Sequence, residues 1–363
     1  MLLVNGNNQM MNYTMNAEIS ILILTHNQKC LLERCLDSIL NQIINVPYEI
    51  IISDDGIDDG TRQFVQELAY SKRVTSLMNL VELKYVYCNL DESVLKKGGT
   101  RIGRNRLNAY MHAHGKYFVN VDADDFLVGT ELYQKEYEML EAHSECSMVQ
   151  TRLFMLNEGE DIDRIYDGYP NSEKLVSGAV FSLEDVLRYR LRGQHQTYMY
   201  RRRPQDDFVR LLGCGFDDIN ITYYHLQYGP VVFLDIAGYV WVQYPKSDSH
   251  SFSVDELRIS YSLIPLSLAV RFKDSRDVFL RAGVDVKHLL RKLVRSPKYP
   301  ELSDGRRKAM SLSDMFIMRF FSEKRHGFYS WSRYFISIVL LSVMWLFRLK
   351  SKFWLDIMYR TLV

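Results

Sequence analysis

Three carboxylates, Asp122, Asp124 and Asp125, fall within four residues of FVNVDADDFL, directly after an apolar run. Such neighbours repel one another unless positive charge lies among them. A hard divalent cation, Mn²⁺ or Mg²⁺, meets that need, because it takes oxygen ligands from one or two carboxylates and completes its shell with substrate phosphates. The plainer alternative is an acid-rich turn that caps the following helix. Two further polar sets stand in similar places: Thr25-His26-Asn27 after ISILIL, and Asp54-Asp55 after YEIIIS. A second acidic pair, Asp217-Asp218, precedes INITYYHL; it can cap that helix, or hold a carboxylate ready to take a proton from a hydroxyl.

The elements that must position these residues follow from periodicity. Residues 19–25, 48–53, 83–88 and 116–121 read as strands, the first two as short β-branched runs of the kind buried on both faces. Helical spacing joins Leu31, Leu32, Cys35, Leu36, Ile39 and Leu40, and residues 61–70 and 101–114 also read as helices. Strands alternating with helices predict a parallel α/β sheet, in which ligands sit beyond the carboxyl ends of the strands. Thr25, Asp54 and Asp122 then share one edge, and that coincidence favours the metal over the capping turn.

Further along, residues 148–155 and 197–200 read as strands, as do 231–234 and 239–242, while 184–191 and 219–226 read as helices. Three regions are expected: a flexible lead over 1–17, a catalytic domain over 18–251, and a helical, basic region over 252–363. The whole chain of 363 residues has a net charge of +1. From Val286 onward, however, there are 16 Lys and Arg against five Asp and Glu, leaving 29 against 39 before it. An acidic body with a basic tail suggests two different partners. The apolar stretch from Tyr334 to Phe347 has 14 residues, short of the ~20 that span a bilayer. With the surrounding cations and aromatics it suits helices lying on an anionic membrane surface; cover for the catalytic domain or a dimer face is the alternative. No nucleic-acid recognition motif is present. Five cysteines without a CxxC pair suit a reducing compartment, and the polar N-terminus does not read as a secretory signal.

The segments ISILILTHNQKCLLERCLDSIL, YEIIISDDGIDDGT, GGTRIGRNRLNAYMHAHGKYFVNVDADDFL and CGFDDINITYYHLQYG together resemble family 2 glycosyltransferases over roughly residues 18–251. The resemblance implies a GT-A fold, a Rossmann-like mixed sheet, and inverting transfer of a sugar from a nucleotide diphosphate, with UDP favoured through Asp55. It implies that Thr25, His26, Asn27, Asp54, Asp55, Arg104, Asp122 and Ala123 line the donor site, with Asp55 on the uracil edge. Asp124 becomes the main metal ligand, helped by Asp122 and Asp125. Asp218 becomes the base, beside Asp217 where the family usually has Glu. His195, Lys246 and His250 are expected near the acceptor or the diphosphate.

The implied partners are a nucleotide-sugar donor, a glycan or lipid-linked acceptor and the membrane surface, at the cytoplasmic face. A sugar nucleotidyltransferase would want a Gly-rich phosphate loop after the first strand, and THNQKCLLER has no Gly. GGTRIG is not the GxGxxG of a dinucleotide-binding oxidoreductase. A non-catalytic membrane scaffold that binds nucleotide sugars is the remaining alternative.

Overall fold

The structure is a computed structural model that describes residues 16–89, 101–168, 172–189, 191, 193–203, 217–245 and 275. The expectations for the lead before residue 16, for Lys246 and His250, and for the basic helical region (Ser275 apart) lie outside these residues.

Four parallel strands form the first half of the sheet: β1 (Ile19–Thr25), β2 (Tyr48–Asp54), β3 (Leu80–Tyr87) and β4 (Tyr117–Asp122), in the order β3-β2-β1-β4. All seven residues of β1 and all seven of β2 are buried, as expected for central parallel strands covered on both faces. The helices between them are α1 (Lys29–Leu40), α2 (Thr61–Ala69), the single turn α3 (Lys72–Thr75) and α4 (Arg101–Met111). On one face, Ile19, Ile21 and Ile23 pack with Ile50 and Ile52, with Val119 and Val121, and with Leu32, Leu36 and Ile39 of α1. On the other face α4 lies over β1 and β2.

The sheet then becomes mixed, as the resemblance implies, where strand–helix alternation alone predicts parallel strands. The short β5 (Phe126–Leu127) and α5 (Leu132–Ala142) lead into β6 (Met148–Asn157). Two further short strands, β7 (Tyr166–Asp167) and β8 (Val180–Phe181), precede α6 (Leu183–Tyr189), β9 (Tyr198–Arg201), α7 (Asp217–His225) and β10 (Val231–Gln243). β9 runs antiparallel to both β4 and β6, so the order continues β4-β9-β6-β10-β5 and the whole sheet is mixed. The two strands read over 231–234 and 239–242 are one, β10, whose register against β6 shifts between Leu234 and Tyr239. The four residues of that shift, DIAG, carry the polarity that reads as a turn.

Among the described residues no helix is long and apolar enough to cross a membrane. Cys30, Cys35, Cys88 and Cys146 are free thiols.

Candidate functional site

Thr25 and Asp54 are partners on the last rung of the β1–β2 ladder, and Leu24 pairs with Asp122 on the last rung between β1 and β4. The three polar sets therefore open from one edge of the sheet. Asn105 of α4 fixes that edge from behind. Its Nδ2 donates to the carbonyls of Thr25 and Ser53, each at 3.1 Å, and its Oδ1 accepts from Ser53 Oγ at 2.6 Å. Asn108 donates to the same hydroxyl at 2.8 Å. These two asparagines, which periodicity alone marks as helix polar positions, lock the ends of β1 and β2 together.

His26 and Asn27 leave β1 and meet the loop after β2. His26 Nδ1 lies 3.0 Å from Asp55 Oδ1, and Asn27 Nδ2 lies 3.4 Å from His26 Nε2. Asn27 has φ +55°, a left-handed conformation that Asn tolerates, and its Oδ1 accepts from Ile57 N at 2.8 Å. Asp54 is buried and shapes the loop. Its carboxylate accepts from Gly56 N at 2.8 Å and from Tyr85 OH at 3.0 Å. Burial raises its pKa above the usual carboxylate range, against the pull of those two bonds. Asp55, not Asp54, is thus the acid of this pair that stands beside His26 at the rim.

The turn after β4 separates its aspartates. Asp125 is 1% exposed and points inward, where Oδ1 accepts from Val242 N at 2.8 Å and Oδ2 from Tyr239 OH. Both of its oxygens serve to anchor the turn to β10. Ala123 N donates to Leu24 O at 2.9 Å, which continues the β1 ladder one residue past Asp122. Asp124 sits on the outer side of the turn. Burial and the charge of Asp122 raise its carboxyl to about 6, while Arg34 and Gln28 pull it down. Among the described residues, the triad of potential metal ligands drawn within 4.8 Å is His143, Glu145 and Cys146, ahead of β6 at the opposite edge of the sheet. The three aspartates are not a preassembled cage. An all-oxygen pair, Asp122 and Asp124, with one carboxyl destabilised as an anion by its surroundings, nonetheless fits a hard dication that supplies the missing charge.

Asp122 is held from three sides. Gln196 Nε2 donates to Oδ2 at 2.7 Å, His195 Nε2 lies 3.5 Å from the same oxygen, and the buried Arg106 places Nη2 3.9 Å from Oδ1. Burial alone would raise this carboxyl, but His195, Arg106 and Gln196 outweigh it and hold it at about 2. His195, expected near the acceptor or metal, is thus brought to Asp122. Neither Arg106 nor Gln196 stands out in the sequence, since a polar residue in a helix or loop reads as solvated. Arg104, on α4, is half-buried and one residue from Asn105.

Asp217 and Asp218 open α7 rather than preceding it. Behind them on the same helix, His225 is fully buried and packs at a tilt against Tyr200, with ring centroids 4.7 Å apart. Thr222 Oγ1 lies 3.2 Å from Tyr200 OH on β9. Helix α7 also packs on the 3₁₀ turn His195–Thr197. The C-terminal half of α7 is therefore tied to β9, and the helix to the turn that carries His195 and Gln196.

A mixed sheet whose parallel strands end in an acid-lined rim, with an Asp-x-Asp turn beside it, has the layout of the GT-A class of nucleotide-sugar enzymes. Residues 20–79 match the family described as Glycosyl transferase family 2. A poly(ribitol-phosphate) beta-glucosyltransferase of Bacillus spizizenii is 31% identical over 121 residues, which is 33% of this chain and only 17% of that protein. The crystal structure of S. aureus TarS 1-349 in complex with UDP-GlcNAc superposes with a TM-score of 0.53 at 17% identity, covering 83% of this chain and 81% of that one. The likeness to TarS is one of fold.

Proposed function

We propose that the chain is an inverting glycosyltransferase that moves a sugar from a UDP-sugar to a hydroxyl of a glycan or lipid-linked glycan during polysaccharide assembly. The observation that carries this reading is the shared rim: Thr25, Asp55, Asp122 and Asp124 all stand at the carboxyl ends of adjacent parallel strands. The Bacillus relative, a glucosyltransferase acting in poly(ribitol-phosphate) chemistry, and TarS, crystallised with UDP-GlcNAc, make a UDP-hexose the favoured donor and a cell-wall polymer the favoured acceptor.

In this mechanism Asp55, oriented by His26, accepts a hydrogen bond from the nucleobase edge, while Thr25, Asn27 and Arg104 border the nucleotide. Asp124 and Asp122 would hold Mn²⁺ or Mg²⁺, which supplies neutralising charge to the diphosphate leaving group without proton transfer. Asp125 secures the turn from inside. Asp218, in the first turn of α7, takes the proton of the acceptor hydroxyl as it attacks. One base suffices for a single in-line displacement, which inverts the anomeric carbon; a retaining enzyme would need a carboxylate nucleophile as well. Asp217 borders the acceptor, and Lys246 and His250 meet the diphosphate. The catalytic domain spans 18–251, and the basic region after it rests on the cytoplasmic face of the membrane.

The test is nucleotide release from UDP-, GDP- and dTDP-sugars in the presence of Mn²⁺. Release from a UDP-sugar, reduced about a hundredfold or more by Asp218→Asn, is the expected result. Binding without release from any of the three would favour the non-catalytic scaffold.

A further inference from the structure

We infer that Gln196 contacts the ligand directly, its side-chain carbonyl accepting a hydrogen bond from a sugar hydroxyl of the bound nucleotide sugar. The inference rests on the donor class proposed above and adds to it a residue that the expected donor-site set does not contain.

Gln196 sits in the middle of the 3₁₀ turn His195–Thr197, and the turn is rigid. Thr197 N and Thr197 Oγ1 both donate to Gln194 O, at 3.0 and 2.8 Å, and Tyr200 OH reaches His195 O at 3.5 Å. The residue is only 7% exposed. The orientation of its amide is settled by charge. Nε2 donates to Asp122 Oδ2 at 2.7 Å, and a flipped amide would set a carbonyl oxygen against an ionised carboxylate. Oε1 must therefore take the other arm. That oxygen is buried and has no hydrogen-bond partner among the described residues.

A buried amide oxygen without a donor is costly and uncommon, so something outside the described set must supply an O–H or N–H. His195 and Arg106, the nearby basic side chains, are directed at Asp122. A ligand bound at the rim over Asp122 passes within one side chain of Gln196, and a sugar hydroxyl is a donor of the right size. Two parts of the same ligand carry that chemistry, the ribose and the transferred sugar.

The experiment is a coupling measurement on the full chain with Mn²⁺ present. The affinities of UDP, 2′-deoxy-UDP, 3′-deoxy-UDP, UDP-glucose and UDP-N-acetylglucosamine are measured for the unsubstituted protein, for Gln196→Met and for Gln196→Lys. Met removes both arms at similar volume. Lys keeps a donor toward Asp122 and lacks the acceptor, so it serves if Met perturbs the turn. The expected result is a loss of roughly three- to tenfold that disappears with one deoxynucleotide, which assigns the ribose. A loss confined to the UDP-sugars supports the inference equally and assigns the transferred sugar. An equal loss with all five ligands would mean that Gln196 only positions Asp122, and no loss with any would mean that water fills the place; either result overturns the inference. If the unsubstituted protein bound none of the five, the proposed function would itself fall, which is a distinct result.

Discussion

Arg34 of α1 donates through Nη2 to the backbone carbonyl of Asp124 at 2.6 Å. The same guanidinium donates to Tyr244 OH at 3.1 Å and lies over the Phe126 ring, 4.8 Å from its centroid. One side chain thus joins α1, the aspartate turn and the end of β10. Arg34→Met keeps the apolar stem and loses the donors. Mn²⁺-dependent UDP affinity is expected to fall by about tenfold with the fold intact, as for other residues that orient a metal ligand. Calorimetry on the variant checks this, and unchanged affinity would show that the turn holds itself.

Asp124 should impose a pH dependence of opposite sign on stability and on binding. Its folded-state pKa, about 6, lies above the ordinary 3.8 because of burial and Asp122. The folded chain therefore binds this proton more tightly than the unfolded chain, and the group's contribution to stability declines as pH rises from about 4 to about 6. Cation binding needs the carboxylate, so Mn²⁺ affinity is expected to drop by about tenfold per pH unit below 6 and to level off above it. Asp122, held at about 2, stays ionised throughout. An Asp124→Asn protein should bind weakly with a flat profile, and a flat profile in the unsubstituted protein would contradict the assignment.

Gly56 is required by the close approach of two loops. A Cβ there would lie 2.5 Å from Asn27 Oδ1 and 2.7 Å from Asn27 N. Because Asn27 Oδ1 is already engaged by Ile57 N, the neighbour cannot simply swing away. Gly56→Ala is expected to cost about 1–3 kcal/mol of stability. It should also weaken nucleotide binding, since His26 and Asp55 ride on the displaced loops. Denaturant unfolding and UDP titration measure the two effects separately; an Ala variant equal to the parent in both would refute the packing argument.

His225 is buried against Tyr200 and Phe118, and burial lowers its pKa from 6.5 to about 4. Between those values the unfolded chain binds the extra proton and the folded chain does not. Stability from this site is thus complete above pH 6.5 and lost as pH falls toward 4, by up to about 3 kcal/mol. His225→Gln removes the titrating group, and its stability should vary less steeply than the parent's across that window. Parallel slopes for the two proteins would place the proton elsewhere.

The rim was legible in the sequence because parallel strands announce their own ends. An apolar β-branched run stops at Thr25, at Asp54 and at Asp122, and parallel pairing puts those stops side by side. Which aspartate turns inward was not legible. Asp124 and Asp125 are adjacent and chemically alike, and only the bonds to Tyr239 and Val242, more than a hundred residues away, decide that Asp125 is the anchor. Asn105, Arg106 and Gln196 escaped notice for a related reason. Polar residues in a helix or short turn read as solvated, and their burial comes from the packing of α4 on β1 and β2 and of α7 on the His195–Thr197 turn. The antiparallel insertion of β9 was equally hidden, since a four-residue strand carries no mark of its direction.

The most direct test of the metal-and-pyrophosphate site is titration of UDP into the full chain with and without Mn²⁺, repeated with Asp124→Ala and Asp55→Ala. Binding that needs Mn²⁺, loses its metal dependence in Asp124→Ala and weakens in Asp55→Ala with folding unchanged is the expected result. UDP affinity that is the same with or without Mn²⁺, or indifferent to both substitutions, would contradict it.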